Sequence, residues 1–439
     1  MKYKKNAYLI LIVLVFFSAI SWVAVFNNKE ALNKEYEETL EKAMALEEKG
    51  IYIDAVDLYQ KAHSIKPNDY DIALKIVNSQ MALNDENGFL NACDKAIQIN
   101  PTDDEVYLLK ANFLIEKRRY KEAISVLDSA SKVKDMAKIN EILDDIKYEY
   151  INKYIQCDEM KNWYAVDNST YSTVKVGDKW GVITSSGNRV LGSNFDYLGG
   201  YSIEQGVIPC MSDGEYYYID INGNRKLVGD DEYQHLGTFG EGYAAAQKDN
   251  KYGYIDRDFN EFSFEYEFAG GFAHGIAAVK SGGKWAIIDK KFKTVTDFIY
   301  DEILVDDYGF CSRFGVFFAK KDGEYRLYDT SGSEISTRGY TDAKIFTSGE
   351  PAAVKVDDKW GWIDINGEEY IGPQYEDAQS FSLGLAPVLV DGIWGYINKD
   401  NKIVIAPEFE LAQAFSNKGS AYVKNEDKWS LILLCEYDK

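Results

Sequence analysis

At 439 residues the chain is too long for one ordinary core, so two or three domains are expected. Its 71 acidic residues outnumber 49 basic ones and leave a net charge of −22, which argues against nucleic acid, whose binders carry basic stripes that displace counterions. It also disfavours adhesion to an anionic lipid surface. A hydrophobic share of 46% with 14% aromatics excludes a mostly disordered chain.

The first stretch predicts a membrane anchor. Lys2, Lys4 and Lys5 precede an uncharged apolar run from Ala7 to Phe26. Twenty helical residues at about 1.5 Å each span the hydrocarbon of a bilayer. Lysines ahead of the run place residues 1–6 in the cytoplasm, 7–26 in the membrane and the bulk outside. The alternative is a signal peptide cleaved near Ala19-Ile20-Ser21, which releases the same bulk.

Residues 31–157 show a 34-residue period. Leu40, Leu74 and Leu108 keep that step, as do Ala43, Val77 and Ala111, Tyr59, Cys93 and Leu127, and Ala62, Ala96 and Ala130. Within a unit, apolar residues recur at three and four, as in Ala55, Tyr59 and Ala62, which is helical spacing. Gly50 marks a turn inside the first hairpin, and Pro67 and Pro101 close the first two units. Short side chains at the repeated places let neighbouring helices approach. The pattern resembles tetratricopeptide repeats through Ala43, Gly50, Tyr52, Ala55, Tyr59, Ala62 and Pro67, with Asn84 at the glycine place and Phe89 at an alanine place of the second unit. Residues 136–155 are expected to form a capping helix. The resemblance implies an α-solenoid whose groove holds a peptide or partner helix. It places Asn78 and Asn112 on the groove side of successive first helices, where an amide can both donate to and accept from a peptide backbone.

From residue 163 to 439 a second repeat takes over. Lys179-Trp180-Gly181-Val182-Ile183 is rewritten as Lys251-Tyr252-Gly253-Tyr254-Ile255, Lys359-Trp360-Gly361-Trp362-Ile363 and Ile393-Trp394-Gly395-Tyr396-Ile397. The marker aromatic is Trp180, Tyr216, Tyr252, Trp285, Tyr325, Trp360, Trp394 and Trp429, with gaps of 36, 36, 33, 40, 35, 34 and 35 residues. Phe-x-x-Gly and a small apolar strand such as Ala352-Ala353-Val354 precede the marker, and a turn such as Asp364-Ile365-Asn366-Gly367 follows it. Each unit therefore predicts three or four short strands joined by turns. The unit resembles the WG repeat, a bacterial family named for its Trp-Gly pair. The departures are Tyr216-Tyr217, Trp285-Ala286, Tyr325-Arg326 with a longer insertion before it, and Trp429-Ser430. No unit can stand alone: ordering a residue costs ~1–2 kcal/mol, while each buried aromatic returns ~1.5–3. Eight stacked units predict a β-propeller, because a ring removes exposed edges; an open β-solenoid is the alternative. Trp163–Val166 is the expected closing strand.

The chemistry-bearing residues do not converge on a site. His63, His235 and His274 sit in different units, and the five cysteines have no zinc or redox spacing. Asp220-Ile221-Asn222-Gly223-Asn224 hints at a calcium loop, but Arg225 and Asp231 stand where that loop needs Gly and Glu. Neither a metal, a cofactor nor a catalytic set is expected. The marker aromatics are read as packed seams between units, with sugar-stacking platforms as the competing use. The sequence thus predicts a membrane-anchored chain with a tetratricopeptide-like α-solenoid and an all-β repeat head. Its expected work is non-catalytic binding of protein or peptide partners at the bacterial envelope; binding of a cell-wall glycan is the alternative.

Overall fold

The computed structural model describes residues 29–161, 170–227 and 233–437. It divides into two compact units, Met1–Lys147 and Tyr148–Lys439. The apolar run over 7–26 lies outside the described residues, and among the described residues no helix is long and apolar enough to cross a membrane.

Among the described residues the first unit holds seven helices: α1 over 29–48, α2 (Tyr52–Ile65), α3 (Tyr70–Ala82), α4 (Glu86–Ile99), α5 (Asp104–Glu116), α6 (Tyr120–Val133) and α7 (Ala137–Ile146). The side chains repeating at 34 residues explain the pairing. Ala43, Val77 and Ala111 are fully buried, and so are Ala62, Ala96 and Ala130. Gly50, Asn84 and Arg118, one per hairpin, all take a positive φ of 72°, 54° and 55°. That left-handed residue ends a helix cheaply only when it is glycine. Asp69 and Asp103, also 34 apart, cap α3 and α5 by accepting from the backbone N–H of Ile72 and Glu105.

The second unit is an eight-bladed β-propeller of eight antiparallel sheets. In the blades that follow the repeat most closely the strands run in sequence order. Blade 6, for instance, is Asp342–Ala343, Ala352–Val356, Lys359–Ile363 and Glu369–Tyr375. The core lies between blades: Trp394, Tyr396 and Phe409 of blade 7 pack with Ala412, Phe415 and Ile432 of blade 8. Each blade thus buries its face only against its neighbour.

The segment that closes the ring differs from expectation. Trp163–Val166 lies outside the described residues. The fourth strand of blade 8 is Tyr150–Tyr154, which pairs antiparallel with Lys428–Leu434 in register Tyr150↔Leu434 through Tyr154↔Ser430. The expected capping helix therefore stops at Ile146, and 148–157 belongs with the β unit rather than with the helical repeats. The physical reason is the unpaired edge of the last hairpin: a row of free N–H and C=O groups outcompetes one more helical turn. Ile155, beyond that strand, is buried with Val174 and Ile183 of blade 1 and with Tyr422 and Leu431 of blade 8.

The glycine after the marker aromatic has a steric cause. In blades 1, 3, 6 and 7 the fourth strand bulges opposite it. A β-carbon on Gly181, Gly361 or Gly395 would meet the carbonyl oxygen of Leu191, Ile371 or Ile405 at 2.7, 2.5 and 2.8 Å. In the four units that depart from glycine the fourth segment pairs differently, and in blades 4 and 5 it meets the third strand only through isolated bridges such as Trp285↔Tyr300 and Tyr325↔Tyr340. Blades 4 and 5, with Ala286 and Arg326, have three regular strands. Blade 2, with Tyr217, pairs only Arg225–Leu227, and blade 8, with Ser430, takes its straight fourth strand from Tyr150–Tyr154.

Candidate functional site

The first strands of the blades are two residues long, and the segments that follow them in blades 5 to 8 line one cavity. The 40-residue gap before Tyr325 explains what fills the middle of the ring. Blade 5 inserts Asp306-Asp307-Tyr308-Gly309-Phe310 between its first strand, Glu302–Ile303, and its second, Val316–Lys321. The insertion copies the turn that ends the third strands. Asp306 accepts from the N–H of Tyr308 and Phe310 at 2.9 and 3.0 Å, as Asp364 does from Asn366 and Glu368 at 2.9 Å each. The Arg313 guanidinium bonds the Asp306 carboxylate at 2.6 Å in a nearly solvent-free setting. Burial raises the pKa of Asp306; Arg313, then the N–H groups of Phe310 and Tyr308, oppose it.

That turn carries Tyr308 to the opposite side of the ring. Its ring centroid is 5.6 Å from the Lys161 ammonium of blade 1, and it packs where a β-carbon on Gly200 of blade 2 would come within 3.0 Å. Lys161 also donates to the carbonyl of Leu198 at 3.0 Å. Tyr308 therefore fills one side of the channel. On the other side a cavity of about 380 Å³ stays open, walled by blades 5 to 8. Its charged lining is Glu302, Asp306, Asp307 and Asp342 against Arg313 and Lys344. The Tyr325 hydroxyl donates to Glu302 at 2.6 Å, and the Lys344 ammonium stands 5.0 Å from the Trp360 ring. A volume in this range with a few convergent polar groups is what small binding sites show.

The marker aromatics occupy one register in every blade. Trp180, Tyr325, Trp360 and Trp394 are buried; Tyr216, Tyr252, Trp285 and Trp429 are half-buried. A lysine from the second strand lies against the ring in several blades, as Lys175 does at 5.5 Å from Trp180 and Lys280 at 5.7 Å from Trp285. The direct ties between blades come two residues later, which the sequence reading missed. Tyr218, Trp362 and Tyr396 each donate at 2.9 Å to a carbonyl at the first strand of the next blade: Gly237, Gln379 and Gln413. Period-two alternation from the marker was the signal that could have found them.

In the helical unit Asn78 and Asn112 are both exposed, on α3 and α5. A second cavity, of about 340 Å³, opens between α2, α3 and α4 and includes Ile76 and Gln80 in its lining. Asn78 is two residues from each, about 200° around the helix, so it points away from that cavity. The three histidines stay apart. His63 lines the helical cavity. His235 packs among Tyr197, Tyr216 and Tyr252, where burial, then Lys161, push its pKa down to about 4. His274 stands 3.4 Å from the Ser312 hydroxyl. The tempting calcium loop is a turn: Asp220 accepts from the N–H of Asn222 and Asn224 at 2.9 Å each.

Comparison with known proteins follows the same division. The model of the WG containing repeat matches residues 218–252, 252–285, 325–360, 360–392 and 394–429, and a tetratricopeptide repeat model matches 92–125. The unmatched interval 286–324 is the one that holds the Tyr308 insertion. No curated protein matches the chain. Similar solved structures include the first TPR of Spaghetti (RPAP3) bound to an HSP90 peptide, at 15% identity over 25% of this chain and 89% of that one, with a TM-score of 0.22. The TPR2B domain of yeast Sti1, in complex with pHsp70, is 21% identical over 25% of this chain and 94% of its own, also at 0.22. Hsv2 of Kluyvelomyces marxianus is 10% identical over 51% and 87%, at 0.33. The repeats of the propeller are thus similar to WG containing repeats, and those of the helical unit to the tetratricopeptide repeat.

Proposed function

We propose that this chain is a non-catalytic scaffold that engages protein or peptide partners through both repeat units. The observation that carries the reading is the cavity in the middle of the propeller. It gathers side chains from four blades, with four carboxylates against two cations, and so suits a basic or hydrogen-bonding segment of a partner. The helical unit supplies a second surface, with Asn78 and Asn112 exposed on successive first helices. The chain is held at a bacterial envelope by residues 7–26, with its bulk outside the cytoplasm; the lysines before the apolar run support that orientation. Four of the eight marker aromatics are buried and four half-buried, which favours a packed seam over a sugar-stacking surface built from these rings.

The test is site-specific photo-crosslinking in the native cell, with the reactive residue at Thr347 of the cavity or at exposed Ile393 as a control. The expected result is a discrete adduct from position 347 alone, lost when Asp307 and Asp342 become asparagine. Equal adducts from both positions, or none, would reject the propeller cavity as the contact. Protease treatment of intact cells tests the orientation: digestion only after lysis would place the bulk inside.

A further inference from the structure

The helical cavity differs from its surroundings in charge. The chain carries 71 acidic residues, yet none of the ten residues lining this cavity is Asp or Glu. What lines it instead can donate hydrogen bonds: His63 and Ser64 from α2, Gln80 from α3, Asn91 and Lys95 from α4. Lys95 makes no ion pair among the described residues.

Two of these groups are buried without a partner. Gln80 is 8% exposed, and its Oε1 has no hydrogen bond among the described residues. The same holds for Nδ1 of His63. Native proteins rarely leave such atoms unpaired, and two in one cavity mark a place for a missing ligand. The opening over Gln80 exists because residue 88 has no side chain: a β-carbon there would clash with the Asp85 carboxylate and stand 2.5 Å from the Gln80 Oε1. Burial, then the Lys95 charge, lower the pKa of His63 against the opposing charge of Asp69, and a neutral imidazole can donate from Nδ1 in one tautomer. A half-turn of the Gln80 amide brings its NH₂ inward.

We propose that the cavity between α2, α3 and α4 seats a carboxylate-bearing side chain of a protein partner, on the side of α3 away from Asn78. Lys95 supplies the counter-charge, and Gln80 and His63 supply the hydrogen bonds that fix the carboxylate. This rests on the scaffold reading and narrows it to one chemistry at one place.

The experiment uses the full chain, with the His63 imidazole and the Gln80 side-chain amide followed by NMR. The probes are glutamate capped at both ends, the equally capped glutamine, and free glutarate. The expected result is a saturable shift of both signals by capped glutamate, with an affinity on the order of millimolar for one seated group. Capped glutamine should bind at least five-fold more weakly, and Lys95→Gln should weaken capped glutamate by a similar factor. Lys95 is exposed, so that variant does not threaten the fold. No saturable shift, equal binding of both capped probes, or an unchanged Lys95→Gln would overturn the proposal. Tighter binding of glutarate than of capped glutamate would overturn the partner side chain in favour of a free dicarboxylate. Partner capture lost on Asn78→Ala with Asn112→Ala, with the NMR titration flat, would reject this cavity and leave the scaffold reading standing.

Discussion

The β-carbon that Gly361 lacks would fall 2.5 Å from the carbonyl oxygen of Ile371. No side chain fits between the third strand of blade 6 and the bulged fourth strand that crosses it. Gly361→Ala should therefore cost about 1–3 kcal/mol through forced displacement of that strand. Ser430→Ala, at the same place in blade 8, faces the unbulged pairing with Tyr154 and should change stability by less than about 0.5 kcal/mol. Urea unfolding of the two variants beside the parent checks both.

Tyr396 and Tyr254 occupy equivalent places in blades 7 and 3 and differ in one bond. The Tyr396 hydroxyl donates to the Gln413 carbonyl of blade 8, whereas the buried Tyr254 hydroxyl has no partner among the described residues. Tyr396→Phe should cost about 1 kcal/mol, since it removes the hydrogen bond that ties blade 7 to the half-buried Gln413. Tyr254→Phe should be neutral or stabilising, because it removes an unpaired polar atom. The same sign for both substitutions in a thermal melt would contradict the assignment.

Ring closure depends on Tyr150–Tyr154. The Tyr150 hydroxyl bonds Glu408 of blade 7, and Ile155 fills the seam between blades 1 and 8. A chain beginning at residue 148 should fold to a monomeric propeller. One beginning at 158 leaves the Lys428–Leu434 edge open and should aggregate or melt at least several degrees lower. Light scattering during a melt separates the outcomes.

The third-strand turns predict a response to acid. The Lys293 N–H bond holds the Asp289 carboxyl below the usual range; burial opposes it, and the Lys291 N–H adds to the lowering. Asp329 is likewise low, first through the Ser331 hydroxyl. A carboxylate whose folded pKa is depressed stabilises the fold above its ordinary pKa and loses that contribution as pH falls through the folded value. Stability should thus drop between roughly pH 5 and pH 2. Asn398 already holds the same turn in blade 7 with a neutral amide, accepting from Asp400 and Lys402 at 3.0 Å each. Asp289→Asn should therefore keep stability near neutrality and flatten the acid limb by up to one proton, as read from urea midpoints across that range.

Tandem repetition made both units legible before any coordinates. Ala43, Val77 and Ala111 mark one helical seam, and eight marker aromatics count eight blades. The loss of glycine at Tyr217, Ala286, Arg326 and Ser430 even flagged the four irregular blades, because that glycine answers to a local crossing of strands. Three features were decided only by tertiary structure. Tyr150–Tyr154 closes the ring, Tyr308 reaches across it, and His63, Gln80 and Lys95 meet in one cavity. Each joins residues far apart in the chain or absent from the repeat, and which partner they find is set by which edge or space is left unfilled once every unit has packed on its neighbour. A period in the sequence reports how a unit folds against its copies; it carries no mark of where the array's own ends and gaps come together.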